Sequence, residues 1–143
     1  MQKQTGFTLL EMLVVLVIIG LLAGLVGPRL MGQAETAKIK TTDTQVKMLK
    51  GSLDTMRLDI GRYPTTEEGL ALLAVAPQDQ VIKTLWKGPY VDGAVPLDPW
   101  NHAYQYSNVK SANGNPFTLY SFGADGQKGG TDENTDIGFL ATN

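Results

Sequence analysis

Six polar residues, MQKQTG, give way at Phe7 to an apolar run, FTLLEMLVVLVIIGLLAGLVG, with no charge between Met12 and Gly27. Coiled as a helix, Phe7–Val26 spans roughly 30 Å, the thickness of a bilayer's hydrocarbon core. Beyond Pro28 the pattern changes. Ile39, Thr42, Val46, Leu49, Leu53, Met56 and Ile60 recur at steps of three and four, while Lys38, Lys40, Asp43, Lys47, Lys50, Asp54 and Arg57 fall off that stripe. This spacing predicts an amphipathic helix with one face on a core, stopping at Gly61 with Pro64 beyond it. Pro28 removes a backbone donor and crowds the preceding turn, so it either ends the first helix or bends a longer one.

The next segment is punctuated rather than periodic. Thr65-x-x-Glu68 fits a capping box that opens a short helix to about Leu73. Pro77 marks a loop, an irregular aromatic stretch begins at Leu85-Trp86-Lys87-Gly88-Pro89-Tyr90, and Leu97-Asp98-Pro99-Trp100-Asn101 is turn chemistry. Ala103–Asn108 and Phe117–Phe122 alternate as strands, with Ser-Ala-Asn-Gly-Asn-Pro as the hairpin loop between them. The predicted class is α+β: a long N-terminal helix on a small C-terminal antiparallel sheet with long loops. The expected divisions are a polar leader at 1–6, a membrane-length apolar helix at 7–27 and a soluble head at 28–143.

Composition narrows the functions this organisation can serve. The chain has 143 residues and a net charge of −2, without a basic stripe, which argues against nucleic-acid binding. It has no Cys and one His, and neither G-x-S-x-G nor H-E-x-x-H occurs, so the nucleophile and zinc-hydrolase motifs are missing; paired carboxylates remain, but none sits in an apolar setting, and no enzyme is expected. A small exported head without disulfides needs another staple. Residues 123–138, GADGQKGGTDENTDIG, carry glycines and acids with no apolar period. They read either as a solvated loop or as a calcium site, with Asp125, Asp132, Glu133, Asn134 and Asp136 as candidate oxygen donors. An EF-hand is excluded, because Ile137 stands where that loop needs Gly.

Glu11 decides between a plain anchor and something more specific. A carboxylate in a membrane helix costs roughly 2.5–3.5 kcal/mol near the bilayer centre, and a bland anchor gains nothing from it. An ordinary secretory signal also fits poorly, since Ala23-Gly24-Leu25 is a weak A-x-A site. Gly6-Phe7-Thr8-Leu9-Leu10-Glu11 resembles the type IV prepilin signature. That resemblance implies cleavage by a prepilin peptidase between Gly6 and Phe7, N-methylation of the new Phe7 amine, and a Glu11 carboxylate that pairs with the amine of a neighbouring subunit to set the fibre's stagger. A Pro at position 28 is common in that family within one continuous helix, which implies a part in assembly for Pro28 as for Glu11.

The order RYPTTEEGL, WKGPY, PLDPW and YSFGADG is similar to the protein G pseudopilins of type II secretion, over nearly the whole chain. One departure stands out: Asn101, His102 and Ala103 follow Asp-Pro-Trp where the family has Gly, a polar residue and Pro. Asn can still adopt the left-handed turn backbone, and His102 reads as an exposed turn residue. The resemblance implies a structural subunit of a pseudopilus, a homopolymer built from the inner membrane that helps drive export of folded proteins. It implies a single-pass inner-membrane location with a periplasmic head, and minor pseudopilins and the inner-membrane platform as partners. It also implies calcium, held by the side chains of Asp125, Asp132 and Glu133 and the carbonyls of Phe122 and Gln127, with Glu133 replacing the family's shorter Asp and Asp136 as its possible substitute. The alternatives are a type IV pilin of an adhesion or motility fibre, although those usually carry a C-terminal Cys pair, and a membrane-anchored periplasmic calcium-binding protein or enzyme.

Overall fold

The computed structural model describes residues 6–142; most of the expected leader therefore lies outside the described residues. One helix, α1 (Leu9–Ile60), carries both hydrophobic patterns, with Pro28 inside it. Pro28 therefore does not end the helix: it forfeits one backbone bond and the turns on either side continue. The chain divides after Thr36 into two compact units. In the first, the apolar residues from Phe7 to Met31 are exposed, Leu16 for example at 69 %, and this part of α1 is long and apolar enough to cross a membrane.

The second unit holds the core. Val46, Leu49, Leu53, Met56 and Ile60 of the α1 stripe are buried against Leu70, Leu72, Leu73, Tyr104, Phe117 and Leu119. Ile39, the first member of the stripe, is only partly covered, so burial begins at Thr42. The off-stripe charges pair along the helix surface, Lys47 with Asp43 at 2.6 Å and Lys50 with Asp54 at 2.7 Å.

Strand β1 (Gln105–Ser107) pairs with β2 (Thr118–Ser121), and β2 pairs with β3 (Ile137–Phe139), in an antiparallel sheet ordered β1-β2-β3. The hairpin lies where alternation predicts it. The edge strand β3 was not foreseen: it pairs Leu119 with Phe139 and Ser121 with Ile137, and three residues interrupted by Gly138 are too short to carry a period of two. A second unforeseen element, α2 (Gln80–Leu85), starts at Asp79, whose carboxylate accepts from the amides of Val81 and Ile82 at 2.9 and 3.0 Å. This is a plain N-cap signature hidden in a stretch read as loop.

The capping box at Thr65 forms as predicted. The Thr65 amide donates to Glu68 at 2.8 Å and the Glu68 amide donates to the Thr65 hydroxyl at 3.2 Å. It opens a turn that leads into a 3₁₀ helix, Gly69–Leu73, rather than an α-helix. The irregular loops are pinned by aromatic side chains with a polar end. Tyr63 donates to Asp54, Tyr90 to Asp59 and Tyr106 to the Pro64 carbonyl, each at 2.8 Å, and the Trp86 indole donates to the Leu72 carbonyl at 2.8 Å.

Candidate functional site

Two places carry candidate function, one in each unit. At the start of α1, the Glu11 amide donates to the Thr8 hydroxyl at 3.2 Å, and the Thr8 amide donates to the Glu11 carboxylate at 3.4 Å. Thr8-Leu9-Leu10-Glu11 is thus a capping box in its own right, and the carboxylate lies where the helix's unpaired amides favour negative charge. The sequence carries this signal in the same Thr-x-x-Glu spacing as Thr65–Glu68. Gly6 and Phe7 precede the helix and are exposed.

The second place is the tail loop between β2 and β3. Its first arm leaves β2 through Phe122, whose ring meets Tyr120 edge-on at 5.4 Å. Gly123 is buried with φ +72, and an added Cβ would sit 2.8 Å from the carbonyls of Glu133 and Thr135. Only glycine lets the two arms approach this closely. The Ala124 amide joins them by donating to the Glu133 carbonyl at 2.9 Å. Asp125 is exposed and accepts from the Gln127 amide at 3.1 Å. The returning arm contains a single 3₁₀ turn, Asp132–Asn134, with Asp132 at φ +53. Asp136 accepts from the Gly129 amide at 3.0 Å, while its other oxygen is buried without a partner.

These residues bear on a hard cation in two ways. The donors are carboxylates and carbonyls, the oxygen chemistry that calcium takes, and the loop brings the arms bearing Asp125 and Glu133 together by a backbone bond. Among the described residues, however, no three acidic or His side chains converge closely enough to share one ion. The side chains of Asp125, Asp132 and Glu133 would have to turn toward one another from their exposed positions. Asp136 ties the loop's middle to its end through the Gly129 amide.

The loop's base is built by residues whose role the sequence did not reveal. Asp98 is 3 % exposed. One of its oxygens accepts from the amides of Trp100 and His102 at 3.0 and 2.8 Å; the other accepts from the Ser121 hydroxyl in a short bond. Ser121 in turn accepts from the Gly123 amide at 3.0 Å. Burial pushes the nearby Tyr104 phenol up to about 12, with the Asp98 charge adding to the effect. The turn depends on Asn101, which adopts φ +66 in place of a glycine. His102 is not the exposed turn residue expected: it is half-buried, with Nδ1 3.2 Å from the Gly123 carbonyl. A buried Asp in an Asp-Pro turn is a detectable signal; the reach of His102 across to residue 123 is not, because it depends on the β-sheet register.

Comparison with known proteins covers both places. Residues 29–140 match the family model for type II secretion system protein G, and residues 1–27 match the prokaryotic N-terminal methylation motif. The chain is 39 % identical to the type II secretion system core protein G of Pseudomonas aeruginosa, over 96 % of this chain and 95 % of that protein. It is 41 % identical to the core protein G of Vibrio cholerae, over 96 % and 92 %. The crystal structure of the major pseudopilin from the type 2 secretion system of enterohaemorrhagic Escherichia coli superposes with a TM-score of 0.57 at 32 % identity, covering 78 % of this chain and 93 % of that one.

Proposed function

The chain belongs to the type II secretion system protein G family, and from that premise we propose that it is the structural subunit of a pseudopilus polymerised from the inner membrane. The observation that carries this reading is the contrast along α1. Its N-terminal part exposes apolar side chains with no charge from Met12 to Gly27, whereas the stripe of its C-terminal part is covered by its own core. Such a surface is stable in lipid or against copies of itself, not in water. The fibre core is then built by lateral packing of residues 7–27, and the heads stand in the periplasm. Glu11 caps its own helix and pairs with the amine of a neighbour after cleavage at Gly6. The peptidase, the minor pseudopilins and the membrane platform are its partners, and its work is mechanical rather than catalytic.

The tail loop is a calcium site in this reading, held by Asp125, Asp132, Glu133 and the carbonyls of Phe122 and Gln127. Its support is the donor chemistry and the backbone bond that closes the loop's two arms. When bound, the ion supplies the cross-link that disulfides supply elsewhere. Binding to the folded chain alone adds about 2.7 kcal/mol at a hundredfold excess over Kd.

One pair of measurements tests both halves. Mass spectrometry of the protein from its native membrane is expected to find a mature N-terminus at methylated Phe7; an intact Met1 would sink the fibre assignment. Melting of the same preparation is expected to shift upward in calcium relative to chelator, with magnesium a poor substitute. Superimposable curves would return the tail to a solvated loop and leave the fibre reading intact.

A further inference from the structure

We infer that His102 is the positioning residue of the tail loop: it fixes the backbone course of the first arm, Phe122–Gln127, on which expected cation ligands are carried. The inference rests on the calcium reading only for its affinity half. A carbonyl only accepts, so the bond from His102 Nδ1 to the Gly123 oxygen at 3.2 Å requires the proton on Nδ1. The backbone amide of the same residue donates to Asp98, Ser121 donates to Asp98, and the Gly123 amide donates to Ser121. Asp98, Ser121, Gly123 and His102 thereby close a ring of hydrogen bonds that grips both polar groups of the Gly123 backbone. The same Nδ1–Cε1–Nε2 edge of the imidazole lies against Gly126, where an added Cβ would come within 3.1 Å of Cε1, 3.2 Å of Nε2 and 3.5 Å of Nδ1.

One side chain therefore braces the arm on both sides of Asp125, at Gly123 by a hydrogen bond and at Gly126 by packing. Phe122, Asp125 and Gln127 all sit on that braced arm, which supplies three of the five expected ligands. Gly126 stands at φ +66, so the arm favours glycine there for its backbone, and the absence of a Cβ leaves the ring in close contact without displacement. Without His102 the arm keeps its link through Ser121 but loses the brace that fixes the carbonyl side of Gly123 and the face of Gly126. Residues that orient ligands without touching the ion commonly govern affinity by about 10- to 100-fold.

The test uses the full chain in detergent, titrated calorimetrically with calcium, beside His102→Ala, His102→Phe and His102→Gln. His102→Ala and His102→Phe are expected to weaken calcium binding about 10-fold or more, while His102→Gln, which keeps a donor, recovers part of the loss. Melting in chelator separates positioning from folding. An affinity loss that merely tracks a fall in melting temperature across the variants overturns the inference, as does unchanged affinity in His102→Phe. Mapped proteolysis in chelator reads the brace without the ion, and His102→Ala is expected to be cut faster between Gly123 and Gly130. If the unmutated chain binds no calcium, the calcium reading and the affinity half fall together. The positioning half is then decided by cleavage: faster cutting upholds it and unchanged cutting overturns it.

Discussion

The two parts of α1 share one backbone ladder and almost nothing else. Before Thr36 the apolar side chains are exposed; from Thr42 to Ile60 they recur every three or four residues and are buried. The first part has a secondary structure but no tertiary one of its own. The second has a stripe that matches a core a few loops away. Helical hydrogen bonding is thus satisfied throughout, and the solvent each part requires is set by whether apolar residues run all round the helix or along one side. The same device, Thr-x-x-Glu, opens a helix in both units, and there too the surroundings differ: Glu11 caps at an exposed apolar end, while Glu68 caps and also binds Arg62 through two bonds of 2.6 and 2.8 Å.

The largest expected effect lies at Glu11, where capping and subunit pairing can be separated. Glu11→Gln keeps an oxygen for the Thr8 amide and removes the charge; Glu11→Ala removes both. If the carboxylate sets the register between subunits, both variants should lose nearly all fibres when overexpressed and counted by microscopy. A Glu11→Gln chain that assembles normally would make the capping box sufficient, and the two Thr-x-x-Glu devices would then differ only in their setting.

A second substitution pair probes the apolar contrast itself. Leu53 is fully buried and Leu16 is 69 % exposed. Leu53→Ala should cost the head about 2–5 kcal/mol, from lost burial and an incompletely collapsed cavity. Leu16→Ala should change it by no more than about 0.5 kcal/mol. Urea unfolding of the full chain in detergent, followed by the fluorescence of Trp86 and Trp100, reads the head directly. Equal losses at the two positions would mean that the first part of the helix supports the core, and the division after Thr36 would fail.

Legibility followed the same contrast. Periodic features could be read: the two helical patterns on either side of Pro28, the stripe from Thr42 to Ile60, the hairpin and the Thr65 box all arise from spacings within a few residues, while the continuity of α1 through Pro28 does not. What stayed hidden either depends on partners far along the chain or is too short to show a period. β3 exists because Ile137 and Phe139 meet Ser121 and Leu119, and His102 matters because the sheet brings Gly123 to it. α2 is six residues, and its one clear mark, Asp79, lay between prolines and loop residues. The ligands expected in the tail could be located on their loop, but their convergence depends on side-chain orientations that no spacing encodes.

The smallest expected effect tests what the second capping box gains from its neighbour. The Arg62 hydrogen bonds hold the Glu68 carboxyl below its ordinary value of 4.5, against the smaller opposing effect of burial and with help from the Thr65 amide. A carboxyl lowered by folding contributes stability that is fully present above its unfolded value and is lost as pH falls through the folded one. The Arg62 guanidinium is held above its ordinary range by the same bonds and stays charged throughout, so the window belongs to Glu68. Because both side chains are partly exposed, at 36 % and 26 %, the charge contributes only about 1 kcal/mol. Glu68→Gln keeps an acceptor for the Thr65 amide and removes that charge. Its stability should lie below that of the unmutated chain at neutral pH. The gap should stay constant above the ordinary carboxyl value of 4.5 and narrow as pH falls below it, when the native carboxylate takes up its proton. Raising the salt concentration at neutral pH should narrow the same gap, since partly exposed charges are screened. Urea midpoints across the pH range decide the matter: two parallel curves would show that the bonds from Arg62 add nothing, and the box at Thr65 would then be no more than the box at Thr8.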